Sequence, residues 1–174
     1  MIQNTTYDFI KETATLIAGR YLIVSKTPTL IFDTGKISKQ SKMNNDYFSK
    51  VKEYILELGY RIDHEDVEDG MFVISNEDFG IAHLVVGIAD PLLILEQYIF
   101  EVKQESLDLY RSLLQKNRDI VHGAFVLDDA GKKVIFRDTL QIENLDFNEF
   151  EGTLNSLALL LSEYSDELLS FSNN

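Results

Sequence analysis

One stretch limits the choice of fold more than any other. Residues 92–102, Leu-Leu-Ile-Leu-Glu-Gln-Tyr-Ile-Phe-Glu-Val, carry apolar side chains at both alternating positions. Read as an extended strand, Leu93, Leu95, Gln97 and Ile99 project to one side, and Leu92, Ile94, Tyr98 and Phe100 to the other. A sheet with one wet face shows a polar set at every second position, and this strand shows none. It is therefore expected to be dry on both sides. Helices would cover one face; the N-terminal segment, a second subunit or a client protein would cover the other. On that basis Leu93, Leu95 and Ile99 are the candidate protein-interface residues, near the contact or beneath the N-terminal segment.

The last thirty residues give the clearest periodicity. Phe147, Phe150, Leu154, Leu157, Leu161, Tyr164, Leu168 and Phe171 recur at spacings of three and four. Asp146 stands at the N-cap with Glu149 three residues on, and Leu145 and Phe150 are placed for a hydrophobic staple. Ala158 and Leu160 widen the stripe beyond a coiled-coil seam, so the segment reads as a helix lying on a sheet. Leu159 alone among its leucines points to the polar side.

Between these landmarks the pattern alternates. A helix begins at Asp46 with Tyr47, Val51, Ile55 and Leu58 on one side, and Gly59 ends it. Residues 61–67 form a weak acidic strand or loop. Strands at 71–75 and 81–88 flank the turn Asn76–Gly80, and Pro91 separates the second from the long strand. A helix over 104–117 carries Leu107, Tyr110 and Leu114. Residues 121–127 and 133–137 make a hairpin across Asp128-Asp129-Ala130-Gly131, with Val134 and Phe136 on one face. Strands grouped in this way, rather than alternating singly with helices, indicate an α+β fold: an antiparallel sheet with helices packed on it. Before Asp46, residues 5–17 suit a short helix and 21–25 and 29–33 short strands. Residues 34–45, rich in Gly, Ser, Lys and Asn, read as a polar linker. The expected division is an N-terminal extension, 1–45, and a main domain, 46–174.

Composition removes whole classes of chemistry. There is no cysteine, hence no thiol catalysis, thiolate zinc site or disulfide framework, and a reducing compartment fits. Lys and Arg total 16 against 29 Asp and Glu, a net charge of −13, which argues against nucleic acid and anionic lipid. The polar opening, Met1–Thr6, and the absence of a long uninterrupted apolar run set a cytoplasmic location as the expectation. Gly35-Lys36 fails as a phosphate-binding loop, since Leu30 and Ile37 stand where Gly and Ser or Thr are needed. His64, His83 and His122 are isolated, and the acidic residues around His64 match no calcium-loop spacing. His83 and His122 read as partly buried structural imidazoles. Asp128 and Asp129 suit a tight hairpin for backbone reasons. No catalytic, cofactor-binding or metal-ligating set emerges.

From Asp46 the element order resembles the YbjN family, small bacterial proteins with the fold of type III secretion chaperones. The resemblance rests on residues 47–60 as first helix, on Asp69-Gly70-Met71-Phe72-Val73-Ile74 and on the long strand. It continues through Val121-His122-Gly123-Ala124-Phe125-Val126-Leu127-Asp128, then 134–137, and through Asn144-Leu145-Asp146 into the final helix. It implies a non-enzymatic protein-binding domain, chaperone-like or regulatory. That domain is often a homodimer holding extended client segments on apolar surface, and no cofactor is implied. The competing expectation is a small-ligand-binding protein or enzyme whose site forms only in three dimensions; convergent polar groups in a concave pocket would favour it.

Overall fold

A computed structural model describes residues 34–173. The expected helix at 5–17 and strands at 21–25 and 29–33 lie outside the described residues. Helix α1 (Thr34–Glu57) leads into β1 (Arg61–Asp66), β2 (Met71–Asn76), β3 (Ile81–Ala89) and β4 (Leu92–Glu101). Helix α2 (Leu107–Asn117) then crosses to β5 (Ala124–Leu127), β6 (Lys133–Gln141) and the long helix α3 (Phe147–Asn173). The six strands form one sheet in the order β1-β2-β3-β4-β6-β5, and every neighbouring pair is antiparallel. The expected α+β class and element order are what the chain adopts.

The stretch 34–45 departs from expectation. It is helical, not a linker, and α1 runs unbroken through Asp46. The segment Lys36–Met43 consists largely of Lys, Gln, Ser and Met with no proline, so little opposes extending a helix that packing has fixed downstream. At its other end Gly59, with φ +74°, turns the chain in the left-handed region. The Tyr60 amide donates to the Ile55 carbonyl at 3.1 Å, which satisfies an otherwise unpaired end group.

The core lies between one face of the sheet and the three helices. Phe48, Val51 and Ile55 of α1, Leu109 and Leu113 of α2, and Phe150, Leu154, Leu157, Leu160 and Leu168 of α3 meet Phe72, Ile74, Leu84, Val86, Leu93, Leu95 and Phe136 there. The N-cap of α3 forms as its sequence implies, the Glu149 amide donating to Asp146 Oδ1 at 2.8 Å. Leu159 is 58% exposed, on the polar side.

Helix α2 is rotated from the expected stripe. Leu109 and Leu113 are buried, while Leu107 and Leu114 are 79% and 70% exposed. Spacings of three and four fit either set; the anchors at the two helix ends decide between them. Ser106 caps the Leu109 amide at 3.1 Å. Asn117 forms a two-way amide pair with the backbone of Phe125, at 2.7 and 3.1 Å.

The opposite face carries a smaller apolar cluster: Met71, Val85, Ala89, Ile94 and Ile135, with Leu92, Tyr98 and Val126 against it. Among the described residues it draws on strands alone. Phe100, expected beside Ile94, joins the helix side instead, because a register shift between Tyr98 and Phe100 turns the strand over. Glu96 is the polar member of this face that strand alternation alone passes over. It is buried and pairs with Arg137, its register partner on β6.

Gly123 shows why backbone, not side chain, governs the start of β5. It has φ +77°, and a Cβ there would meet the Phe136 ring edge at 2.6 Å and the Arg137 carbonyl oxygen at 2.9 Å. Gly131 has a similar φ, +70°, with open space around it. Gly123→Ala is expected to cost roughly 2–4 kcal/mol, combining strain and overpacking, and Gly131→Ala about 1 kcal/mol. Urea unfolding of the two variants checks this; equal losses would contradict the packing difference.

Candidate functional site

The main concavity among the described residues opens where three elements meet. The turn Glu77–Phe79 supplies Phe79 and Asp78, the end of β4 supplies Ile99 and Phe100, and the C-terminal half of α3 supplies Leu161, Leu168 and Leu169. Its volume is about 680 Å³. Ala158, Ser162, Ser165 and Ser172 complete the α3 wall, small residues interleaved with the leucines. Among the described residues Asp78 is the one charged member of the lining, and no described Lys, Arg or His reaches it.

The walls are held firmly. Asn76 accepts the Asp78 amide at 3.1 Å and donates to the Gly59 carbonyl at 3.5 Å, fixing the turn against the end of α1. Phe79, 46% exposed, lies over Tyr60 with ring centroids 6.3 Å apart. Burial pushes the Tyr60 phenol up to about 12. On the far side of α3, Lys116 of α2 reaches Glu167 at 2.6 Å and sits 4.4 Å from the Tyr164 ring centre. The hydrogen bond from Lys116, followed by that from Ser112, holds the Glu167 carboxyl below its ordinary range.

Two other polar groups are worth testing for chemistry. Asp63, on the β1 bulge, accepts from Ser75 Oγ and from Arg61 Nε, the latter at 2.7 Å, with His83 Nδ1 3.4 Å away. Burial pushes its carboxyl up, but the Ser75 and Arg61 hydrogen bonds and the Arg61 and His83 charges outweigh that and hold it low. Although Ser, His and Asp converge, the roles are wrong for a nucleophile. The serine hydroxyl accepts the His83 amide at 2.9 Å and gives its one proton to a carboxylate weakened as a base by Arg61, not to the His83 imidazole. The group instead secures His83, a non-glycine residue at φ 56°. The second group joins His122 to Asp138 at 4.0 Å, with Thr153 donating to Asp138 at 3.0 Å; it ties β6 to α3.

His83, on β3, is about half exposed, in line with the expected partly buried imidazole, whereas His122 precedes β5 rather than lying on it. His64 is exposed, and Asp66 beside it accepts the amides of Glu68 and Asp69, which explains the acidic run as a turn. Asp128 likewise accepts the amides of Lys132 and Lys133, shaping the hairpin. Among the described residues no group of three or more His, Asp or Glu is placed to hold a metal ion. No described helix is long and apolar enough to cross a membrane.

Of the three candidate interface residues, Leu93 and Leu95 have no accessible surface; they face the helices in the core. Ile99 is half-buried and lines the cleft. Sequence reasoning missed Phe79, Ser165 and Leu169. Leu169 falls outside the α3 apolar stripe, and a second, mixed apolar and small-residue face on that helix was the signal available.

A family model, CesT_Tir_1, matches residues 44–174, three quarters of the chain. The chain belongs to the CesT_Tir_1 family, the type III secretion chaperones. Solved structures agree in fold. YbjN from E. coli superposes with a TM-score of 0.55 at 13% identity, covering 69% of this chain and 92% of that one. The ExsC–ExsE complex gives 0.52 at 21% identity, covering 74% and 94%. No curated protein matches the sequence. Family membership points to a chaperone-like, protein-binding role for this CesT_Tir_1 chain.

The Glu167 contact makes cleft integrity pH-dependent. A carboxyl held low in the folded state contributes stability above its unfolded value and loses it as pH falls through the folded one. Between about pH 7 and about pH 3, the stability gap between the parent and Glu167→Gln should therefore shrink. Urea midpoints at several pH values check this; a gap constant over that range would show that the Lys116 contact has no such linkage.

Proposed function

We propose that this chain is a chaperone-like or regulatory protein-binding module. In this reading the unit is residues 46–174, preceded by the extension 1–45. It acts by holding a segment of another protein against apolar surface, without catalysis and in a reducing cytoplasm. The observation that carries the reading is the cleft between the Glu77–Phe79 turn, β4 and α3. It is concave, largely apolar and walled by rigidly capped elements, and it lacks the convergent polar groups that mark small-molecule sites. The relative ExsC, solved with ExsE, supports a protein as occupant. The test places a photo-crosslinking amino acid at Ser165, an exposed cleft residue, in the native host. A discrete cross-linked partner polypeptide is expected, and its absence alongside efficient labelling at no other protein would overturn the reading.

The module also pairs with a second copy of itself. Leu107 and Leu114 stand seven residues apart on the outward side of α2, at 79% and 70% exposure, and large apolar side chains so exposed in register mark contact surfaces. This helix and its flank carry Lys103, Arg111, Lys116 and Arg118 against Glu105, Asp108 and Asp119, and Lys116 is already paired with Glu167; the surface is near neutral, so two copies can approach there despite the net charge of −13. Leu114→Asp is expected to leave the melting temperature nearly unchanged and to convert dimer to monomer in sedimentation velocity. A parent that is monomeric at every concentration would exclude pairing.

A further inference from the structure

We propose that the cleft takes a cationic amphipathic segment: a row of apolar side chains flanked by Lys or Arg. This deepens the protein-binding reading and rests on it. The floor, formed by Ile99, Phe100 and Leu168, is apolar, and Ser165 and Ser162 on the α3 wall are small enough to let another backbone approach. Charge then selects among apolar occupants. Helix α3 carries Glu149, Glu151, Glu163, Asp166 and Glu167 and no Lys, Arg or His; the last cationic side chain in the chain is Arg137.

These carboxylates are not equivalent. Glu167 is taken by Lys116 on the far side. Asp166 lies three and four residues from Leu169 and Ser162, which helical spacing sets on the outer rim of the cleft. Asp78 faces it from the turn, while its neighbour Glu77 stands 3.6 Å from Arg61 and adds less to the field. The last turn of α3 has no basic residue, so the negative end of its dipole adds to the same field. A groove with a dry floor and a negative rim repels acidic segments, tolerates neutral ones and favours basic flanks. A second copy of this chain is a poor occupant, because it would bring its own acidic α3 against this one. At physiological salt the screening length of about 8 Å is comparable to the width of such a groove, so the preference survives in the cell.

The test uses two labelled helical peptides of roughly 15 residues with the same leucine row, one flanked by Lys and one by Glu, titrated into the full chain. The Lys-flanked peptide should bind at least about tenfold more tightly, and the gap should narrow between about 50 mM and about 300 mM salt. Leu169→Lys, at a position already 59% exposed and so compatible with folding, should weaken that peptide about tenfold. Leu159→Lys changes net charge equally outside the cleft and should have less than about a twofold effect. Equal affinities that Leu169→Lys still weakens would overturn the charge preference while leaving the protein-binding reading intact. Binding of neither peptide, or loss by Leu159→Lys as large as by Leu169→Lys, would overturn the assignment of the cleft. If the parent is also a dimer that Leu169→Lys dissociates, the occupant is a second copy instead.

Discussion

Everything in this fold is arranged around the requirement that β4 stay dry on both sides. Its side chains serve two clusters at once: Leu93 and Leu95 enter the core under the helices, and Ile94 sits in the smaller cluster on the opposite face. Only one polar concession is made on that second face, where Glu96 meets Arg137 across the β4–β6 ladder. A buried ion pair gives little net stability, yet removing Arg137 would take from the buried Glu96 carboxylate its cross-strand cation. The pair therefore acts as a register lock: a slip of one residue between β4 and β6 would separate the two charges and invert both apolar sets. With β4 and β6 fixed, β3 and β5 follow as their outer neighbours, and the helices have one defined surface to cover.

How much of this was legible in the residues depends on whether the signal was local. The core face of helix α3 was readable, since its apolar period, its Asp146 cap and its stray Leu159 are all properties of a single element. The antiparallel grouping and the turns at Gly59, Asn76–Gly80 and Asp128–Gly131 were equally plain, because glycine and Asx residues report backbone conformation directly. The errors came where two readings fit one sequence. Helix α2 offered two apolar stripes, and the choice was made by Asn117 reaching a strand eight residues on. The bulge that moves Phe100 to the helix side arises from pairing with β6, over thirty residues away. The helical character of 34–45 is decided by what α1 packs against further along.

The candidate site was less legible than the fold for the same reason. The long strand was singled out correctly as unusual, but its most conspicuous leucines serve the core, and of that set only Ile99 reaches the cleft. The cleft itself combines a turn, a strand end and a helix end that are about twenty and sixty residues apart in sequence. Nothing in any one segment announces it. What the sequence does supply is the restraint on chemistry: polar clusters exist at Asp63 and Asp138, and each is spent on holding backbone in place.

The two margins of the sheet carry one more consequence. An open sheet risks adding copies of itself edge to edge, since unpaired strand margins template further pairing. Here β1 is Arg-Ile-Asp-His-Glu-Asp, a margin kinked by its bulge, where an incoming strand would meet a carboxylate at half of the six positions. The other margin, β5, is only four residues long, and Asn117 already occupies both backbone groups of Phe125 that a new strand would need. Among the described residues both margins of the sheet thus disfavour edge-to-edge growth, which leaves side-chain surfaces as the available means of contact.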